Sequence, residues 1–549
     1  MASAEAQFYR RFEAWLETFL EDNPVTATFL GDHRFDHRLG TYAPEAVDAR
    51  VRGLKEALEE ISRLDPASFS LDGRIDHTVA TKMMKLLLLE YEHERLQSYI
   101  RNPGFYLEEA MEGLFGLLVK EFAPLPERLR SALGRLREIP RFLKEGINNI
   151  VPERVPPLWA EVALEQARMA PAFFYGLLLP AAREGAPELV PEIERAVEEA
   201  SRAVDEYTSF LRSDVLPQAR GDFAAGTELF NLLLREKHLV EYDAEALLRT
   251  GWEQFELTRT RMEELARQID PRKTVRELLE EAKADHPSEE GLMKAYQEAM
   301  KAARDFVVEK GIATIPEGES LKIVETPAYL WPLIPYAAYM SPGIFEEKQE
   351  GLFFVTPVDP NASPEEKEQK LRGHNYAKLP ITALHEAYPG HHLQLVWANR
   401  QESIPRRLGS FIATLFIEGW AFYCEEMMEE MGFIDRPIQK LMRLADQLWR
   451  AARIILDVAL HSGRMTVEEG VNFLVEKCGL EPANALAEVR RYTQSPTQPQ
   501  SYLMGKLLIL ELISDYRKAN PDLSLREIHD SILSCGSLPP ALMRQKLFG

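Results

Sequence analysis

His385 and Glu386 stand side by side, and His391 and His392 follow after Ala387, Tyr388, Pro389 and Gly390. Imidazole nitrogens ligate first-row divalent metals, and a carboxylate beside a ligand can take a proton from water. The regular form of this pairing, His-Glu-x-x-His, works because residues i and i+4 share one helix face. Here the second histidine comes two residues late (His391) or three (His392). On an unbroken helix His391 would sit about 240° around from His385, and His392 would return to the same face roughly 10 Å further along the axis. Neither can then share an ion with His385, so the ligands require a helix broken between them. Pro389 lacks a backbone N–H and clashes with the preceding turn, and Gly390 tolerates conformations closed to other residues. His391 is the favoured second ligand, with His392 as its alternative.

A third ligand is expected from a later helix. Glu418 follows His391 by 27 residues and lies in the apolar stretch Phe416-Ile-Glu-Gly-Trp-Ala-Phe-Tyr423. A carboxylate there is costly unless neutralised or coordinated. Glu425 and Glu426 are fallbacks, but they open an acidic run that reads as a solvated face. The plain alternative is a histidine-rich helix break that holds no metal.

The elements that must carry these residues are mostly helical. In 187–216, Leu189, Ile193, Val197, Ala200, Val204, Tyr207 and Leu211 recur at three- and four-residue steps, one buried stripe on an amphipathic helix. Similar stripes run through 5–20, 44–64, 77–96, 243–268, 275–284, 289–310, 436–460 and 502–518. Residues 327–359 differ: Pro327, Pro332, Pro335, Pro342, Gly343 and Gly351 punctuate short aromatic runs. Residues 336–340 and 352–355 read as a hairpin of two strands. One strand, 352–355, is a candidate edge that could hold an extended peptide beside the metal. The chain divides into a helical N-terminal lobe, 1–220, and a catalytic lobe, 221–549.

The 549 residues suffice for two or three lobes. Net charge is −22, from 65 Lys and Arg against 87 Asp and Glu, which argues against nucleic acid and anionic membrane as partners. Three scattered cysteines, Cys424, Cys478 and Cys535, exclude a thiolate zinc ribbon. With no basic, apolar leader and no long apolar run, a cytoplasmic location is expected.

His385 to Gln394, H-E-A-Y-P-G-H-H-L-Q, resembles the H-E-x-x-P-G-H-x-x-Q signature of the bacterial domain-of-unknown-function family eight-eight-five. That family is regarded as similar to the mainly helical gluzincin peptidases, alongside angiotensin-converting enzyme, oligopeptidases and thermostable carboxypeptidases. Glu418-Gly-Trp-Ala421 looks like its E-G-W-A, the source of the third ligand. Arg453 through Asp457 to His461 looks like its R-x-x-x-D-x-x-x-H helix. Arg491-Tyr492, Pro496-Thr-Gln498 and Tyr502-Leu-Met-Gly505 look like its R-Y, P-x-Q and Y-x-x-G segments. Thr497 departs from the pattern, standing where glycine is expected.

The resemblance implies a multi-helix, two-lobed gluzincin-like fold with a small β-hairpin or sheet next to the active-site helix. It also implies one Zn²⁺ held by His385, His391 and Glu418, with Glu386 as general base. Arg453, Asp457 and His461, four apart, stack on one helix face. They are either a structural ridge, or His461, oriented by Asp457, approaches a substrate carbonyl together with the Tyr502 hydroxyl. Arg491 is either a grip for a substrate carboxylate or the partner of a structural glutamate. Gln498, Phe353 and Phe354 complete the substrate-side set. The expected substrate is a short peptide, with a non-peptide amide, or a non-catalytic scaffold keeping a metal-site remnant, as alternatives.

Overall fold

Apolar stripes at helical spacing fold as helices. Val190–Phe210 buries Ile193, Val197, Ala200, Val204 and Tyr207, flanked by a 3-10 turn at Pro187–Leu189 and a π turn at Leu211–Val215. In the computed structural model, residues 3–326, 331, 334 and 336–549 are described. Pro327, Pro332 and Pro335 lie outside them. Among the described residues the protein is mainly helical, with one three-stranded sheet. No helix among them is long and apolar enough to cross a membrane.

Two compact units emerge. One comprises the described residues of Met1–Phe223, Pro327–Pro332 and Pro342–Glu347; the other those of Ala224–Thr326, Leu333–Ser341 and Lys348–Gly549. The second unit is therefore not one continuous stretch from 221. The first unit is helical. Its buried Arg135 on Leu125–Asn149 is satisfied by the carbonyls of Arg38, Gly113 and Pro24 and the hydroxyl of Thr28.

The second unit carries the histidine motif and the sheet. Strand β1 is Glu319–Glu325, β2 is Ala337–Met340 and β3 is Gln349–Val355. The order is β1-β3-β2, with β1 parallel and β2 antiparallel to β3. This corrects the two-stranded hairpin. The strand expected at an edge is central, and both of its ladder sides are taken, so it has no free backbone row for a peptide. Phe353 and Phe354 are 0% and 2% exposed, and Phe353 packs on Tyr296 with ring centroids 5.6 Å apart. They are core residues, not substrate contacts. β1 escapes sequence reading because its charged ends and half-buried middle lack the apolar alternation of a strand.

Helix Thr414–Glu430, which bears Glu418, crosses helix Ser501–Ala519, which bears Tyr502, at a pair of glycines. A Cβ on Gly419 would lie 2.3 Å from the Gly505 carbonyl carbon, and one on Gly505 would lie 1.9 Å from the Leu415 oxygen. Backbone meets backbone there, so the obstacle to a side chain cannot rotate away. Gly419→Ala or Gly505→Ala is expected to destabilise the fold by about 3 kcal/mol or more. Urea unfolding checks this; a loss below about 0.5 kcal/mol would show that the crossing is loose.

Candidate metal centre

Helix Leu379–Glu386 stops at the expected break, and helix His391–Asn399 begins just after it. The Tyr388–Pro389 peptide is cis. Gly390 has a negative φ, so its contribution is space rather than a left-handed conformation: a Cβ would lie 1.8 Å from the His385 carbonyl oxygen. The Pro389 carbonyl accepts a hydrogen bond from Trp420 Nε1 at 2.8 Å. The ligand-bearing helix therefore pins the break directly, which gives the Glu-Gly-Trp sequence a physical reading. Glu418 is a candidate metal donor, Gly419 permits the crossing, and Trp420 holds the turn.

The break turns His391 toward His385. Their rings stand 4.8 Å apart and nearly perpendicular. One ligand atom from each of His385, His391 and Glu418 falls within 4.8 Å of the others. Tetrahedral zinc, with bonds of about 2.0–2.2 Å, spaces its donors by roughly 3.3–3.6 Å, so a small closure completes the set. Burial holds the His391 pKa well below its ordinary value, leaving a neutral ring as a ligand requires. His385 Nδ1 lies 2.7 Å from Glu425 Oε1, which leaves Nε2 for the metal. Burial opposes a charged His385, but the hydrogen bond and charge of Glu425 outweigh it and raise the pKa. Two imidazoles and a carboxylate fit zinc or a neighbouring divalent metal.

His392 is not part of this group. Its Nε2 lies 2.7 Å from Glu319 Oε2 and its Nδ1 lies 3.0 Å from the Tyr339 hydroxyl. It ties the helix to the sheet, close against Gly351 of β3. Glu425, read from sequence only as a fallback ligand on a solvated face, is 2% exposed. It lies seven residues after Glu418, two turns along the same helix face, a spacing that was available as a signal. Glu426 pairs with Lys506 instead. Glu425→Gln is expected to weaken zinc binding about 10- to 100-fold while the protein stays folded. Competition titration with a chromophoric chelator measures this, and unchanged affinity would remove Glu425 from the site.

The Glu386 carboxylate makes no hydrogen bond or ion pair among the described residues. Burial, with the charges of Glu418 and Glu425 added, outweighs His385 and Arg450 and pushes its pKa up to about 7. Tyr502 lies close enough to Glu418 to favour its charged form against burial, and its ring lies 4.5 Å from the Arg453 guanidinium and 5.7 Å from that of Arg450.

The Arg453, Asp457 and His461 ridge exists, with His461 Nε2 4.0 Å from Asp457 Oδ1, but the hydrogen bonds of its members go to other segments. Arg453 donates to Tyr492 Oη and to Glu488. Asp457 accepts from the backbone N–H groups of Thr497 and Gln500. His461 is fully buried, with Nδ1 taking the Ala225 N–H and Nε2 on the Tyr492 carbonyl. These contacts are structural, and they leave His461 no ring nitrogen for a substrate. Thr497 sits at φ 67°, the left-handed region that favours glycine. Its N–H reaches Asp457, and its hydroxyl lies 2.9 Å from His238 Nε2. Arg491 donates to Gln498 at 2.8 Å and to Glu488 at 3.1 Å, so both its terminal nitrogens are engaged.

Glu488 thus anchors two arginines. Burial alone would raise its pKa, but Arg453 and Arg491 overcome this and hold it down to about 2, against an ordinary 4.5. A depressed carboxyl pKa contributes stability above about pH 4.5 that is lost as pH falls toward 2. Glu488→Gln is expected to cost about 2–4 kcal/mol at pH 7 and to flatten the acid limb between pH 4.5 and 2. Urea midpoints across that range test it; parallel wild-type and variant curves would refute the pairing.

The fold and site define a class: a mainly helical protein with a His-His-Glu cluster built across a broken helix. The family described as bacterial protein of unknown function (DUF885) matches residues 24–547, and the chain belongs to it. Two solved structures share the fold. One is a candidate lipoprotein of unknown function from Shewanella oneidensis, 24% identical, with a TM-score of 0.81 and all of both chains covered. The other is a candidate lipoprotein from Colwellia psychrerythraea, 18% identical, with a TM-score of 0.82, covering 100% of this chain and 99% of that one. No curated protein matches the chain.

Proposed function

We propose that this protein is a gluzincin-like zinc hydrolase that cleaves short peptides. One observation carries the reading. Donor atoms of His385, His391 and Glu418 gather within 4.8 Å, and the neighbouring Glu386, whose carboxylate has no hydrogen-bond or ion-pair partner among the described residues, is held at a pKa of about 7. A zinc ion at such a donor set supplies Lewis acidity toward a carbonyl oxygen and toward water.

The chain's own groups supply the rest. Glu386, poised near neutrality, accepts the proton of the water that attacks the peptide carbonyl, and then delivers it to the departing amine nitrogen. Glu425 keeps the His385 ring in one tautomer. Tyr502, which favours the charged form of Glu418, steadies that carboxylate, in place of the oxyanion role expected of it together with His461. The glycine crossing keeps Glu418 and Tyr502 at fixed separation.

The test is stoichiometric metal analysis of purified protein beside assays on a peptide mixture. Zinc near one equivalent with peptide cleavage supports the reading; a protein that binds no divalent metal sinks it. The description of both solved neighbours as candidate lipoproteins favours a cell-envelope location over the cytoplasmic one for this chain too. Fractionation of the native cells decides between them.

A further inference from the structure

Arg450 and Arg453 lie one turn apart on helix Pro437–His461 and face the same ring, that of Tyr502. Tyr502 in turn lies close enough to Glu418 to favour its charged form. Two guanidinium groups therefore lie one side chain away from a metal-ligand carboxylate. Arg453 is largely committed, to Tyr492 and Glu488. Arg450 is not. Among the described residues, its Nε and Nη1 are buried without a hydrogen-bond partner. The nearest carboxylate, Asp446, stands 3.6 Å from Nη1, and its other oxygen pairs with Lys378. The ring faces of Trp449 and Phe422 complete its surroundings, at 4.6 and 5.8 Å, and the side chain keeps 12% of its surface open.

Buried N–H groups on a cation are costly to leave unmet, so such a group persists where a ligand meets it. A guanidinium presents a planar fork that matches a carboxylate. Glu418 is in the donor cluster, and Glu386 feels the charges of Glu418 and Glu425, so a cation beyond the metal ion itself would favour an anionic substrate group entering there. Arg450 is close enough to Glu386 and His385 for its charge to act on both. Arg491, the cation expected from sequence to do this work, is occupied by Gln498 and Glu488.

We infer that Arg450 seats a carboxylate of the substrate just beyond the scissile bond. This rests on the peptidase reading above and narrows it to peptides carrying an anion next to the cut. One residue of extended chain spans at most about 3.3–3.6 Å, so a carboxylate seated on a guanidinium 5.7 Å from the Tyr502 ring is assigned to the first or second residue after the cleaved carbonyl. The chain's terminal α-carboxylate meets that condition in every short peptide. A Glu or Asp side chain offers the same chemistry.

Four peptides separate the sources: one sequence ending in Glu or Gln, each as free acid or C-terminal amide. With zinc-loaded full-length protein, the free acids are expected to exceed the neutral Gln amide by about 100-fold in kcat/KM. In Arg450→Met that ratio is expected to fall to within about threefold, and Arg450→Lys should restore part of it. Preference for both acids assigns the terminal carboxylate; preference for both Glu peptides assigns the side chain. Calorimetric titration of the same peptides into Glu386→Gln protein, with and without Arg450→Met, reads the binding without turnover. Equal cleavage and equal binding of charged and neutral peptides by the parent proteins, or an acid-to-neutral ratio untouched by Arg450→Met in folded, zinc-loaded protein, overturns the inference. If none of the four is cleaved, the peptidase reading fails for them, while the titration still decides whether Arg450 binds a carboxylate.

Discussion

Replacing Glu386 by glutamine is expected to lower kcat/KM about a thousand- to ten-thousand-fold while leaving zinc bound at the wild-type level. The amide keeps the size of the carboxylate and lies outside the donor set of His385, His391 and Glu418, so the metal position should not change. What disappears is the proton acceptor. A carboxylate whose pKa burial has pushed up to about 7 is matched to taking a proton at neutral pH and releasing it in the next step, and glutamine can do neither. The measurement is steady-state cleavage of a peptide found with the wild type, beside metal analysis of the same preparation. Full activity in Glu386→Gln would dismiss the general-base assignment. Loss of zinc along with activity would show instead that Glu386 supports the metal.

The second large effect concerns the donors. His391→Ala is expected to abolish stoichiometric zinc and reduce hydrolysis to background. It removes one of three donors, and the neighbouring His392 is held by Glu319 and Tyr339 and cannot replace it. The same substitution should uncouple stability from metal. A ligand that binds only the folded state stabilises it in proportion to the logarithm of its saturation, about 4 kcal/mol at a free concentration a thousand times Kd. Wild-type Tm is therefore expected to rise on adding zinc to chelated protein, and the Tm of His391→Ala to stay where it was. Scanning fluorimetry with and without zinc checks this. A variant that still binds one equivalent, or whose Tm follows zinc as the wild type's does, would return the ligand role to His392 or remove the site.

Much of this was legible in the residues. Apolar stripes located the helices because side chains three and four apart must share a face whatever surrounds them. The Pro-Gly interruption located the helix break for an equally local reason, since a proline without an N–H cannot continue the ladder. Other expectations failed where the deciding partner is distant. Strand 352–355 read as an edge, because nothing within it announces that Glu319–Glu325 pairs along its other side. Asp457 and His461 had the spacing of a catalytic pair, yet backbone groups of Ala225, Tyr492, Thr497 and Gln500 claim them. Thr497 looked like a minor departure from the family pattern, and its positive φ shows why glycine belongs there.

The sequence by itself determined the donor types, the interrupted helix that lets irregularly spaced histidines approach, and the glutamate two turns from another on one face. These follow from covalent chemistry and helical periodicity, which act over a few residues. Tertiary structure decided which histidine joins the cluster with His385 and Glu418, which glutamate orients His385 and which arginine keeps its N–H groups unspent among the described residues. Glu425 reaches His385 across 40 positions, Glu319 reaches His392 across 73, and Glu488 claims Arg453 across 35. A polar side chain's role is set by which partners burial brings within hydrogen-bond distance, and that becomes defined only once the helices have packed.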